Sequence, residues 1–186
     1  MARPLSETAR SKMLDAAASL ALDVGVRSFT VDEVARRSGV AKTTIYRHFT
    51  GKNELIIAAL DGLTPVPEIP DTGNFHDDLV IFLGNIRPIF RDDRLRALFF
   101  DVFAAATFDE ELAQAQQAMM ASRAVALTSI VARGIGRGEL PPDLEEETIF
   151  ELIEGPFIVR SFGNPASLDT LDLEELAATI IRRCHV

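Results

Sequence analysis

The spacing of Ala35, Gly39 and Ile45 in the stretch FTVDEVARRSGVAKTTIYRHF, residues 29–49, admits few chain paths. Two helices joined by about three residues cross closely. That crossing needs a small residue inside the first helix and a residue tolerant of positive φ in the turn. It also needs an apolar residue on the second helix to lock the angle. Ala35, Gly39 and Ile45 occupy those three places, with Val34 and Val40 between them. The first helix opens on Thr30-x-x-Glu33, a capping-box pattern, and ends at Gly39. The second is expected over 42–49. The spacing therefore predicts a helix-turn-helix.

Helical periodicity extends on both sides of this unit. A preceding helix is predicted over 6–24, with Met13, Leu14, Ala17, Leu20 and Ala21 on one face and Gly25 as its terminator. A following helix begins near Lys52. The prolines and glycine between Leu63 and Gly73 mark a boundary or a long inter-helix loop. Further helices are predicted over 74–90, 93–106 and 110–134. Another runs to about Phe162, with Asp143-x-x-Glu146 as its cap, and a last one covers 170–184. Gly155-Pro156 should kink the helix that contains it. No alternating strand pattern occurs. The fold class read from the chain is all-α, with an N-terminal three-helix helix-turn-helix domain over 1–60 and a helical domain over 61–186.

Charge separates the same two parts. The 186 residues carry a net charge of −9. Residues 1–60 hold nine Lys and Arg against six Asp and Glu, a net of +3, whereas residues 61–186 hold ten against twenty-two, a net of −12. The first part can approach a polyanion; the second is repelled by one. Ile45 and Phe49, four residues apart, should face the core. That leaves Lys42, Thr43, Thr44, Tyr46 and Arg47 on or near the outer side. In such a motif the N-terminal residues of the second helix meet base edges in the major groove. Lys42 can donate to guanine acceptors, and Thr43 and Thr44 can meet base edges or a thymine methyl. Tyr46 and His48 fall where phosphates flank the groove, Lys52 begins the next helix, and the N-cap Thr30 can add a further phosphate contact. Arg47 either contacts phosphate or pairs with an acidic neighbour; His48 either contacts phosphate or caps its helix. Arg36 and Arg37 read mainly as solvated.

FTVDEVARRSGVAKTTIYRHFTGKNEL resembles the DNA-binding signature of the TetR family of transcriptional regulators, most specifically in its Tyr-x-His-Phe-x-x-Lys run of Tyr46, His48, Phe49 and Lys52. The resemblance covers residues 10–60; RGELPPDLEEETIFELIEGPFIVR, later in the chain, is similar to the region before the last helices in many members. It implies a homodimer on a double-stranded, palindromic operator, acting as a repressor or an activator with repression expected, and a C-terminal ligand-binding and dimerisation domain. It places Tyr46, His48 and Lys52 against the DNA backbone and gives positions 42–44 the operator sequence to read. In the family the last two long helices form the dimer interface. Here Ile149, Leu152, Ile153 and Phe157, with Leu173, Leu176, Ala177, Ile180 and Ile181, supply two apolar faces that serve the dimer, the monomer core, or both.

The second part is rich in phenylalanine, and for any one residue the core is the simpler role. If a helical bundle encloses a pocket there, its lining is expected among Phe82, Phe99, Phe103, Met119 and Phe157, with Arg123 as a polar candidate, and the ligand would be small and largely apolar. Two other readings compete. A DNA-binding regulator could act without a small ligand, under a protein partner or its own concentration. A small helical enzyme lacks a Ser/His/Asp or Cys/His set, a Gly-rich phosphate loop and metal spacing. No cofactor or metal is expected. The single cysteine, Cys184, fits a reducing compartment, and no run of ~18 uninterrupted apolar residues points to a membrane. A cytoplasmic location follows as the expectation.

Overall fold

The computed structural model describes residues 7–64 and 69–185. Part of the loop expected over 63–73, and Ser6 at the expected start of the first helix, lie outside the described residues. Among the described residues the chain forms nine α-helices, one short 3-10 helix and no strand. The helices are α1 Glu7–Ser28, α2 Val31–Ser38, α3 Lys42–His48, α4 Lys52–Leu63, α5 Phe75–Arg91, α6 Asp93–Ala106, α7 Glu110–Gly136, α8 Glu146–Gly163 and α9 Leu173–Cys184, with the 3-10 turn Pro165–Leu168 before the last. The all-α reading holds.

Two compact units result. The first contains the described residues up to 64 together with Ala97–Met120; the second contains the remainder of the described chain. In the first unit Met13, Ala17, Leu20 and Ala21 of α1 are buried at intervals of three and four, the period that brings side chains to one face. They share a core with Val34, Ile45, Phe49, Leu55, Ile56 and Leu60, and with Leu98, Val102, Leu112 and Met119 from α6 and α7. Each large aliphatic side chain buried there contributes about 1.5–3 kcal/mol. Phe29 and Val34, both buried, stand at the two positions of a hydrophobic staple around the start of α2.

Gly25 ends the first regular stretch of α1, as the sequence predicts. The chain breaks there at φ 71°, ψ −179° and resumes one further turn to Ser28. The break frees the backbone N–H of Val26, which donates to Asp101 Oδ2 on α6 at 2.6 Å. A tertiary contact thus holds the short turn that follows the terminator.

In the second unit α5 packs against α8 and α9. Phe75, Leu79, Phe82 and Leu83 of α5 are buried, as are Ile149, Ile153 and Phe157 of α8 and Ala177 and Ile180 of α9. The Phe90 and Phe157 rings lie 5.5 Å apart. The inner residues of the two apolar faces therefore close this unit's own core, while Val159 and Phe162 on α8 stand exposed, each at 70%. Asp78, fully buried, accepts from the Thr72 N–H at 2.7 Å and the Thr72 hydroxyl at 2.8 Å and faces the guanidinium groups of Arg133 and Arg137, each at 3.6 Å.

One local expectation is corrected. Asp143 does not cap α8: the helix starts at Glu146, with Glu145 in the cap position and no side-chain capping bond. Pro141-Pro142 directs the chain through a separate turn first, closed by the Leu144 N–H onto the Pro141 carbonyl. α8 passes through Gly155-Pro156 and ends at Gly163, beside the expected end near Phe162. By length and composition alone α7 is apolar enough to cross a membrane, yet Leu112, Met119, Leu127 and Ile130 on it are buried in the folded chain. Core helices share that composition.

Candidate nucleic-acid interface

The helix-turn-helix is built by local chemistry first. The Thr30 side chain accepts from the Glu33 N–H at 3.2 Å, as the capping pattern predicted. The Glu33 carboxylate does not complete that box; it turns to Arg36 and Arg37, at 2.6 and 3.0 Å. At the other end Gly39 adopts φ 69°, ψ 12°, and its N–H donates to the Ala35 carbonyl at 3.0 Å. That left-handed conformation costs a side-chain-bearing residue roughly 1 kcal/mol or more, which is why glycine sits here. The Ser38 hydroxyl accepts the Val40 N–H at 3.1 Å and steadies the turn.

α3 then presents two faces. Ile45 is fully buried and Phe49, just past the helix, nearly so. Lys42, Thr43, Tyr46, Arg47 and His48 are exposed, Thr44 is half-buried, and Lys52 is exposed at the start of α4. The inward and outward residues divide as the sequence predicted. Thr30 is also exposed, with its hydroxyl already engaged as a cap.

Electrostatics subdivide the outward face. The Lys42 ammonium pairs with Asp32 Oδ1 on α2 at 2.6 Å and lies 5.8 Å from the centroid of the Tyr46 ring. The Asp32 hydrogen bond raises the Lys42 pKa above its usual value. Arg47 and His48 make no ion pair among the described residues, so the Arg47 charge is unspent. Arg36 is solvated yet holds Glu33. Arg37 departs from the solvated reading: it pairs with Asp23 at 2.7 Å and with Glu33, tying α2 to α1. Phosphate contact by Arg37 would require breaking that tie.

Hydrogen bonds from Arg36 and then Arg37 hold the Glu33 carboxyl at about 2, below its usual 4.5. A depressed carboxyl adds stability above the unfolded-chain value that is lost as pH falls toward the folded one. Glu33→Gln is therefore expected to flatten the acid limb of the stability curve between pH 4.5 and 2 relative to wild type. Urea melts of both proteins across that range check it; equal slopes would count against the assignment.

The supporting contacts below α3 were not legible in the sequence. Glu54 accepts from the Thr50 N–H at 2.7 Å and the Thr50 hydroxyl at 2.9 Å, fixing the loop before α4. Asn53, buried, donates to Asp109 at 3.1 Å and to Glu111 at 3.3 Å, joining α4 to the start of α7. The Leu112 backbone N–H, then Asn53 and the nearby Lys52 charge, lowers the Asp109 pKa. No local pattern encodes a contact fifty-six residues distant.

The six residues expected around a ligand do not all fall in one unit. Phe99, Phe103 and Met119 belong to the first, with the Phe99 and Phe103 rings 4.6 Å apart. Phe82 and Phe157 are core residues of the second, and Arg123 is half-buried there.

Known proteins share this arrangement. A family model described as bacterial regulatory proteins of the tetR family matches residues 13–59, and one described as the C-terminal domain of tetracyclin repressor-like proteins matches residues 69–180. The chain belongs to the TetR family of transcriptional regulators. Among TetR-family relatives, the uncharacterized HTH-type regulator YdeS of Bacillus subtilis is 31% identical over 160 residues, covering 85% of this chain and 80% of that protein. The DNA-binding transcriptional repressor TetR of Mycobacteroides abscessus is 31% identical over 164 residues, covering 86% and 85%. In fold, the chain is similar to the TetR family regulator SCO0332, with a TM-score of 0.74, 23% identity and coverage of 95% and 98%. It is also similar to FadR of Bacillus subtilis, solved with stearoyl-CoA, at a TM-score of 0.69, 19% identity and coverage of 93% and 96%. Membership of this family makes the chain a DNA-binding, helix-turn-helix regulator of transcription.

Proposed function

We propose that this TetR-family regulator is a repressor that binds a palindromic operator as a homodimer and is released by a small, largely apolar ligand. Residues 1–60 carry DNA binding; residues 61–186 carry the ligand site and the dimer contact. Lys42, Thr43 and Thr44 meet base edges, while Tyr46, Arg47, His48, Lys52 and Thr30 meet phosphates. The observation that carries this reading is the outward face of α3. In a chain of net charge −9 it sets cations and hydroxyls outward over a core anchored by Ile45 and Phe49.

Supporting the repressor sense is the relative from M. abscessus, a named repressor. Supporting dimerisation are Val159 and Phe162, large apolar side chains that a second copy would remove from water. Two recognition helices related by a twofold axis meet half-sites about 34–36 Å apart, one turn of DNA, so the operator is palindromic. Supporting an apolar ligand is the FadR structure, solved in complex with stearoyl-CoA; the candidate contacts are Phe99, Phe103 and Met119 within the first unit and Phe82, Arg123 and Phe157 within the second, each group taken by itself. Release requires that the ligand bind the DNA-free conformation more tightly than the bound one. The protein acts in the cytoplasm, where its operator is.

Lys42→Ala should relax base preference at particular operator positions. Lys52→Ala should weaken all sequences alike and lower the salt slope by about 1. Titrations of selected and scrambled duplexes over a salt series measure both. Wild-type binding by both variants would overturn the docking.

A further inference from the structure

We infer that Asp32 is a positioning residue for DNA recognition, holding the Lys42 ammonium where it reads a base and away from the phosphates. The inference rests on the placement of Lys42 at base edges proposed above.

A carboxylate on this surface is conspicuous. Asp32 lies in the first turn of α2, its side chain 70% exposed, beside the helix that faces DNA. Left alone it would be repelled by the phosphates. It is not left alone: its Oδ1 takes the Lys42 ammonium at 2.6 Å across the gap between α2 and α3. The next residue, Glu33, is engaged by Arg36 and Arg37, so the acidic pair at the start of α2 divides between two sets of cations.

The pairing changes what Lys42 can do. An unpaired lysine is a compact charge on a flexible stem, and any phosphate within reach satisfies it. Here the ammonium is held at two sides, by the Asp32 carboxylate and by the face of the Tyr46 ring at 5.8 Å. Of its three donors one is spent on Asp32, which leaves two for the paired acceptors O6 and N7 of a guanine. The pair is also neutral as a unit, so it adds little to the sequence-independent attraction for DNA. Arg47 and Lys52, both exposed, supply that attraction instead. Asp32 thus exchanges general affinity for discrimination.

The test uses the full-length protein, a duplex selected from random sequence by the wild type, single-base variants of it, and one unrelated duplex. In Asp32→Asn the base preference should fall about fivefold at the same operator positions that Lys42→Ala relaxes. Binding to the unrelated duplex should tighten about fivefold at low salt, with a salt slope steeper by about 1, because the freed ammonium now neutralises a phosphate. Asp32→Glu should restore the base preference, and thermal melts of every variant confirm that the fold is kept. Unchanged base preference in Asp32→Asn, even with tighter overall binding, would show a merely repelled charge and overturn the inference. Unchanged preference in Lys42→Ala has a different signature: the base-reading role of Lys42 then fails, and the role of Asp32 with it.

Discussion

Ile45→Ala should destabilise the helix-turn-helix unit by about 2–5 kcal/mol and abolish specific DNA binding at protein concentrations where the wild type is saturated. Ile45 has no exposure and is the residue through which α3 enters the core shared with α1, α2 and α4. A helix of seven residues has no stability of its own in water. α3 exists because Ile45 and Phe49 are buried, and its seat is closed by the Phe49 N–H donating to the Ile45 carbonyl at 3.0 Å. Alanine keeps the helix propensity and removes the anchor, so the change isolates packing. Ile45→Val, which removes one methylene, should cost about 0.5–1.5 kcal/mol and leave binding nearly intact. Urea unfolding with operator titration on the same samples separates the cases. A loss below about 1 kcal/mol in Ile45→Ala would mean that α3 is held by something other than this contact.

The second large effect is expected at Gly25. Its φ of 71° and ψ of −179° fall in a region open essentially to glycine alone, where another residue bears about 1–3 kcal/mol of strain. A Cβ built there would stand 2.7 Å from Asp101 Oδ2, the atom that accepts the Val26 N–H. Gly25→Ala must therefore distort the backbone and displace a hydrogen bond to a charged group, itself worth about 1.5–3 kcal/mol. The expected total is about 3–5 kcal/mol. Asp101→Ala removes the clash together with the bond. Introduced into that background, Gly25→Ala should cost only the strain, and the cycle of four proteins should show a coupling of more than about 1 kcal/mol. Strict additivity would mean that Asp101 does not constrain the break in α1.

The helix-turn-helix could be read in the chain because its determinants are close together. Thr30 caps α2, Gly39 supplies the left-handed turn, and Ile45 and Phe49 repeat at the helical period. All are short-range requirements, and all were met. The failures have a common cause. Gly25 ends the first regular helix as local rules require, but the further turn to Ser28 was not foreseen, because Asp101, seventy-five residues beyond Val26, accepts the Val26 N–H that the break exposes. Asp143 read as a cap because its spacing to Glu146 was right, but the preceding prolines spent it on a turn. The inner faces of α8 and α9 could not be divided between core and dimer by periodicity, since both uses demand the same apolar repeat; burial assigned Ile149, Ile153 and Ile180 to the unit's own core.

The same division applies to the surface that meets DNA. By itself the sequence determined an all-helical chain, the place of the turn, which residues of α3 point outward, and a positive first part joined to an acidic remainder, because these follow from period, backbone freedom and charge. Only the tertiary structure decided which outward charges are already spent. Arg37 is bound to Asp23 and Glu33, Lys42 is bound to Asp32, and Arg47 is not so bound. A charge's partner is set by distance in space, and the distance between α1, α2 and α3 exists only once Ile45 and Val34 have been buried together.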